Sequence, residues 1–252
     1  MDNKPPFSGT VKEYSLKNYL CDEKGKEHLD YKYVWKYNPD HQISEIQHYS
    51  SRNVLSDISY HSYDDRRNLL EITVKTAKGT KKQQLVYEYK DHQLSQITDI
   101  TRNFRIVTQY DDHGNPIEKQ NLSSAGTLLS TTKYINQYDQ NHRLVEKRTF
   151  FSSENSDWID KFQYNEQGCL VEETRIRHQA VSTVKYDYNE KGDLILGEYN
   201  PGEINREILK KDIVYSDNND ILEIKEYRRG WCYSNYNDNF GLTGIARYSY
   251  VR

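Results

Sequence analysis

The chain has 252 residues, of which 29% are charged and only 35% hydrophobic, with a mean hydropathy of −1.02 and a formal net charge of −3. Lys and Arg (35) nearly balance Asp and Glu (38), without the basic surplus that phosphate contacts demand, so nucleic acid is excluded as an expected partner. No apolar run approaches the ~20 residues of a membrane-spanning helix, so no membrane insertion is expected. The 23 Tyr, 6 Phe and 3 Trp argue against disorder, because a ring with a polar tip buries area in a thin, wettable sheet.

Taken in chain order, Met1–Pro6 carries no apolar segment of the signal-peptide kind, from which a cytoplasmic location is expected. The alternative is the periplasm or cell surface, had an export signal been removed. Residues 1–30 hold only a weak echo, Asp22-Glu23-Lys24-Gly25, of the pattern that follows, and read as an N-terminal cap. From Tyr31 the alternation Tyr31-Tyr33-Trp35-Tyr37 is that of a half-buried strand.

A repeat then begins: Tyr, a polar Asp/Asn turn, Leu or Ile six residues after the Tyr, and often Glu two further on. Tyr37 leads to Ile43 and Glu45, Tyr63 to Leu69 and Glu71, and Tyr89, one residue short, to Leu94. At Tyr110, Pro116 moves the apolar residue to Ile117. Tyr138 leads to Leu144 and Glu146, Tyr164 to Leu170 and Glu172, Tyr188 to Leu194, and Tyr215 to Ile221 and Glu223. Tyr236 opens a ninth copy with Leu242 but no Glu. The nine units fill residues 31–245, and 246–252 form the C-terminal end of one repeat domain.

Asp or Asn after the Tyr caps a tight turn with its side chain. Gly114, Gly168, Gly192 and Asn219, each four residues after its Tyr, tolerate the positive φ that closes a type I hairpin loop. A unit of ~26 residues has room for two strands and two turns but no helix. The expected fold is all-β: tandem hairpins in one extended, twisted and curved antiparallel sheet of ~18 strands, open, spiralling or barrel-like.

Tyr110-Asp111…Gly114, Tyr164…Gly168…Leu170 and Tyr188…Gly192…Leu194 resemble the YD (RHS) repeat of bacterial wall-associated and polymorphic-toxin proteins. The resemblance covers roughly residues 31–245 and implies a β-hairpin strip able to spiral into a shell. The array is shorter than a cargo-enclosing one and has no toxin tail, so architecture is what the resemblance transfers.

Sites of known chemistry are scarce. There is no HExxH, CxxC, calcium loop, G-x-S-x-G or phosphate loop, so neither metal nor cofactor is expected. His41, His92, His113 and His142 fall in turns and read as exposed polar residues. Asp217-Asn218-Asn219-Asp220 reads as a turn rather than a calcium site. Glu45, Glu71, Glu146, Glu172 and Glu223 recur once per hairpin, unlike a catalytic pair, and suit cross-strand pairing with Lys147, Arg148 or Arg175. Cys21, Cys169 and Cys232 are odd in number and far apart, which predicts no disulfide framework and favours a reducing compartment. Trp35 and Trp158 read as core or cross-strand partners.

The most irregular segment gathers Tyr227, Arg228, Arg229, Trp231, Tyr233 and Tyr236, residue types enriched at interface hot spots. The other readings are that it caps the open end of the core, which is the plainer one, or stacks on a sugar ring. The expected function is a non-catalytic protein-binding scaffold, specifically an immunity or inhibitor protein of a bacterial toxin system with the cognate toxin as partner. The alternative is a surface or periplasmic carbohydrate-binding protein.

Overall fold

The computed structural model describes residues 11–22, 26–101, 103–152, 157–178, 180–200, 207–232 and 235–251, with side chains at 207, 228–232, 235–244 and 249–251 left out of the description. The first half forms β1 (Glu13–Cys21), β2 (Glu27–Tyr37), β3 (Ile43–Tyr49), β4 (Leu55–Tyr63), β5 (Leu69–Thr76), β6 (Gly79–Lys90), β7 (Gln93–Thr101), β8 (Phe104–Tyr110) and β9 (Pro116–Ser123). The second forms β10 (Leu128–Tyr138), β11 (Leu144–Phe151), β12 (Asp157–Tyr164), β13 (Leu170–Arg177), β14 (Ala180–Tyr188), β15 (Leu194–Asn200), β16 (Glu207–Tyr215), β17 (Ile221–Cys232) and β18 (Asn235–Val251).

Each strand pairs antiparallel with the next, and β1 pairs with both β2 and β18, so the eighteen strands close into an up-and-down barrel. The expected all-β hairpin sheet is present, but it is not open or extended. Closure satisfies the two outer edges that an open array would expose. Residues 13–21, which the sequence places in a cap, supply the closing strand.

Seven of the eight turns that follow the even-numbered strands β2 to β16 share one geometry. In the turn after β4, Arg67 N–H donates to Asp64 O at 2.9 Å and Asp64 N–H to Asn68 O at 2.9 Å. The Asp64 carboxylate accepts from the N–H groups of Arg66 and Asn68. Asn38, Asp111, Asp139, Asn165, Asn189 and Ser216 cap their turns in the same way. The fifth residue after the strand's Tyr is thereby paired back to the cap, and the fourth must take positive φ. Gly114, Gly168, Gly192 and Asn219 do so as expected, and so do His41, Arg67 and His142, with φ of 61°, 69° and 60°. The shortened Tyr89 copy makes a two-residue turn in which Asp91 and His92 both have positive φ.

Two copies differ from the sequence reading. Pro116 occupies the register position of the Leu, opposite Tyr110, as Leu144 does opposite Tyr138; the pattern is kept, not displaced to Ile117. Tyr236 to Leu242 lie within the single strand β18, so that copy has no turn of its own.

Among the described residues the barrel has no packed core: the buried apolar ones are Val11, Val34, Ile208 and Ile245, and no large side chain is fully buried. The accessible surface is 16894 Å², against about 12,000 Å² for a compact chain of this mass. A circular ring of this many strands has a backbone diameter of roughly 35 Å, beyond what side chains can fill. Among the described residues, no strand approaches any but its two neighbours.

Alternation gives the sheet two unlike faces. On β6, Leu85, Tyr87 and Tyr89 are half-buried while Val86, Glu88 and Lys90 are exposed, and β10, β12 and β14 repeat this. Side chains converge on the concave side of a closed sheet, so the tyrosine face is the inner wall. The opposite face carries the repeat's glutamates, bonded to cations: Glu45 to Lys36 (2.8 Å), Glu71 to Lys82 (3.1 Å), Glu146 to Arg148 (2.8 Å), Glu172 to Lys185 (3.6 Å) and Glu223 to Arg247 (2.9 Å). Of the expected cations only Arg148 takes such a partner. Lys147 and Arg175 lie on the tyrosine face and pair with Asp160 and Glu173, because odd and even positions of a strand cannot share a face.

Candidate functional site

The inner wall and the rim of capped turns together form the candidate site. At the rim, five of the repeat tyrosines reach back to the preceding repeat. The hydroxyls of Tyr63, Tyr164 and Tyr188 donate to the carbonyls of Ile43, Leu144 and Leu170 at 2.7–2.9 Å. Those of Tyr138 and Tyr215 donate to the carboxylates of Asp111 and Asp193 at 2.5 and 2.6 Å. The preceding turn also covers the ring: His113 stacks on Tyr138 at 3.9 Å, Arg143 lies over Tyr164, and Lys191 over Tyr215 at 3.6 Å.

Neighbouring turns are tied to one another as well. Arg67 pairs with Asp40, Lys191 donates to Asn219, and the His113 and His142 rings meet at 3.1 Å. The turn histidines are exposed. No group of three or more His, Cys, Asp or Glu is placed to hold a metal among the described residues.

Desolvation dominates the titration of the inner wall. Burial pushes the phenols of Tyr37 and Tyr248 up to about 12. Tyr138 reaches about 12 through burial and through its bond to the Asp111 carboxylate. Asp111 is held below the usual carboxylate range by Tyr138, by Asn136 and by two backbone N–H groups, against its burial.

Two sectors of the inner wall stand out. On β1 to β4, Tyr14 stacks on Trp35 at 4.4 Å, Trp35 touches Tyr33 at 5.2 Å, and Tyr33 stacks on His48 at 4.6 Å. His48 bonds Asp57 at 3.0 Å, and Ser59 bonds His61 at 3.0 Å. Burial holds His61 below the usual histidine range. The Asp and the Ser thus engage different imidazoles, which is not the arrangement of a nucleophilic triad. On β11 to β13, the 5%-exposed Asp160 is held by Arg177 and Lys147, with Arg177 over Trp158 at 4.7 Å. Trp35 and Trp158 each pack against residues of a neighbouring strand, Tyr14 and Arg177, as their strand positions suggested.

Of the sequence-expected interface, Tyr227 lies on β17 on the face of the repeat glutamates, with Lys210 5.8 Å over its ring. Arg228, Arg229, Trp231 and Tyr236 lie in β17 and β18, and Trp231 is in register with Tyr236; their side chains, and Tyr233 altogether, lie outside the described residues. The His48–Asp57 and Asp160–Arg177 groups carry no sequence signal, because each is assembled from different strands.

Cys21 and Cys169 are free thiols; Cys232's side chain lies outside the described residues. Burial, and then the Glu27 and Asp22 carboxylates, push the Cys21 thiol up.

No known family matches the chain, and no curated protein does. Among solved structures, a porin-like protein from Bacteroides uniformis matches at a TM-score of 0.51 and 10% identity, over 97% of this chain and 100% of its own. MucB in complex with MucA matches at a TM-score of 0.18 and 10% identity, over 94% of this chain and 87% of that one. The first shares the barrel fold.

Proposed function

We propose that the chain is a non-catalytic recognition barrel for a protein partner and, on the YD-repeat resemblance, that the partner is a toxin which it neutralises in the cytoplasm. The observation that carries the protein-binding reading is the use made of the aromatic rings. A sugar-binding platform needs an open ring face, whereas Tyr138, Tyr164 and Tyr215 each have one face taken by a turn residue and Tyr14, Trp35 and Tyr33 pack on one another. That favours protein over carbohydrate, the alternative reading.

Charged residues recur along both faces of the strands, as in the Glu71–Lys82 and Asp160–Arg177 pairs. A lipid-embedded barrel instead presents an apolar band ~25 Å tall to the bilayer. This supports a barrel surrounded by water, in spite of the fold it shares with a porin-like protein.

The test is capture followed by reconstitution. The tagged chain is crosslinked in its native host, captured proteins are identified, and each is purified and titrated against the barrel. A saturable 1:1 complex that suppresses a toxic activity of the partner is the expected result. Failure of every captured protein to bind when purified would overturn the reading.

A further inference from the structure

We propose that the open edge of β6 at Gly79–Lys82 takes up an extended, acidic segment of the protein partner as an added strand. The inference rests on the protein-binding reading and names the chemistry of the segment.

The β5–β6 hairpin overhangs its neighbour. Gly79 to Lys82 pair with β5 on one side, through Thr76, Lys75, Val74 and Thr73. Among the described residues, the ladder with β7 begins at Gln83 opposite Thr101. Gly79 and Thr76 flank a two-residue turn and bond to each other, so alternation of the ladder directs the N–H and C=O of Thr80 away from β5, to the open side. An edge of this kind is a ready template for a further strand.

A cavity of roughly 1000 Å³ occupies this notch, lined among others by Ile72, Val74, Lys81, Gln83, Thr101 and Phe104. Phe104 is 41% exposed. An incoming strand would therefore find main-chain groups along one side and an apolar floor for alternate side chains.

Charge selects the occupant. The stretch 75–82 holds four lysines and no acid. Of the neighbouring carboxylates, Glu71 is engaged with Lys82, Gln84 and Thr73, while Asp99 accepts from Gln83 through one oxygen and its other oxygen is buried without a partner among the described residues. Lys81, at the cavity wall, makes no ion pair among the described residues, which favours an acidic strand over a neutral or basic one.

The full chain is titrated with a fluorescein-labelled decapeptide of alternating valine and glutamate, read by fluorescence anisotropy. Saturable binding is expected, weakened at least tenfold in T80P, which removes the outward N–H without touching the β5 ladder. The same loss is expected in K81E, a surface change that keeps the test alive should T80P fold poorly. The valine–lysine analogue and a peptide N-methylated at alternate residues should not bind. No binding of the valine–glutamate peptide at ~1 mM, unchanged affinity in both variants, or equal binding of the N-methylated peptide would overturn the proposal. Equal displacement by a single-stranded oligonucleotide would also overturn it, by showing a generic polyanion patch. A captured partner that still binds both variants would discard the β6 edge and leave the protein-binding reading intact; failure of every captured protein to bind the unaltered chain would discard the reading itself.

Discussion

The hydroxyl of Tyr138 donates to the carboxylate of Asp111 at 2.5 Å, and the two residues belong to successive repeats. Asp111 caps its own turn through the N–H groups of His113 and Asn115, so one carboxylate holds a turn together and fastens the next hairpin to it. Removing the hydroxyl leaves a charged oxygen short of a donor, which typically costs about 1–2 kcal/mol. Y138F should lower unfolding stability by that amount in urea titrations, and Y164F, whose hydroxyl meets a carbonyl, by about 1 kcal/mol. Y60F, on the other face, should be nearly neutral.

The residue four after the Tyr is set by backbone conformation. His41 holds φ of 61° there, a strain that glycine avoids. H41G should therefore stabilise the chain by about 0.5–1 kcal/mol. Gly192 sits at φ of 79° in open space, so G192A should cost about 1 kcal/mol for backbone reasons alone. Denaturation midpoints with unchanged slopes would check both.

Alkaline pH should loosen the barrel over a defined window. The phenols of Tyr37 and Tyr248 ionise near 10 in an unfolded chain and at about 12 in the fold. Between these values the unfolded state has released protons that the folded state retains, so stability falls as pH rises from 10 to 12. Below 10 these groups add no slope. Midpoints measured across that range should decline, and the double variant Y37F/Y248F should lessen the decline.

The seam of the barrel has its own clamp. Arg247 on β18 reaches across β1 to Glu27 on β2, with nitrogen–oxygen distances of 2.7 and 2.9 Å, and also bonds Glu223 on β17. Both carboxylates push its guanidinium pKa up. The network is partly exposed, so R247A should cost only about 1 kcal/mol. Its distinct signature should be faster amide exchange confined to β1 and β18.

Local chemistry was legible in the sequence, and closure was not. Tyr63, Asp64 and Leu69 announce a turn because cap, strand and register residues lie within seven positions. The spacing of such units also yields the number of strands. Nothing in Glu13–Cys21 marks it as the partner of β18, because that pairing joins Leu16 to Tyr248 across nearly the whole chain. The left-handed residues His41, Arg67 and His142 were hidden for another reason: they are tolerated at positive φ, whereas glycine is suited to it. Of the candidate site, the rim was readable and the inner wall was not. His48–Asp57 and Asp160–Arg177 exist only once the register between strands is fixed.

The closed ring is the premise of the inner wall, and one disulfide tests it most directly. Asn18 on β1 is in register with Ala246 on β18. In a chain with its native cysteines replaced by serine, N18C/A246C should oxidise to an intramolecular disulfide in nearly all molecules, with an unchanged β spectrum and a compact shift on a non-reducing gel. A control pair, N18C/K185C, should not crosslink within one chain. Failure of N18C/A246C to close, or disulfides only between chains, would contradict the barrel and restore an open strip of hairpins.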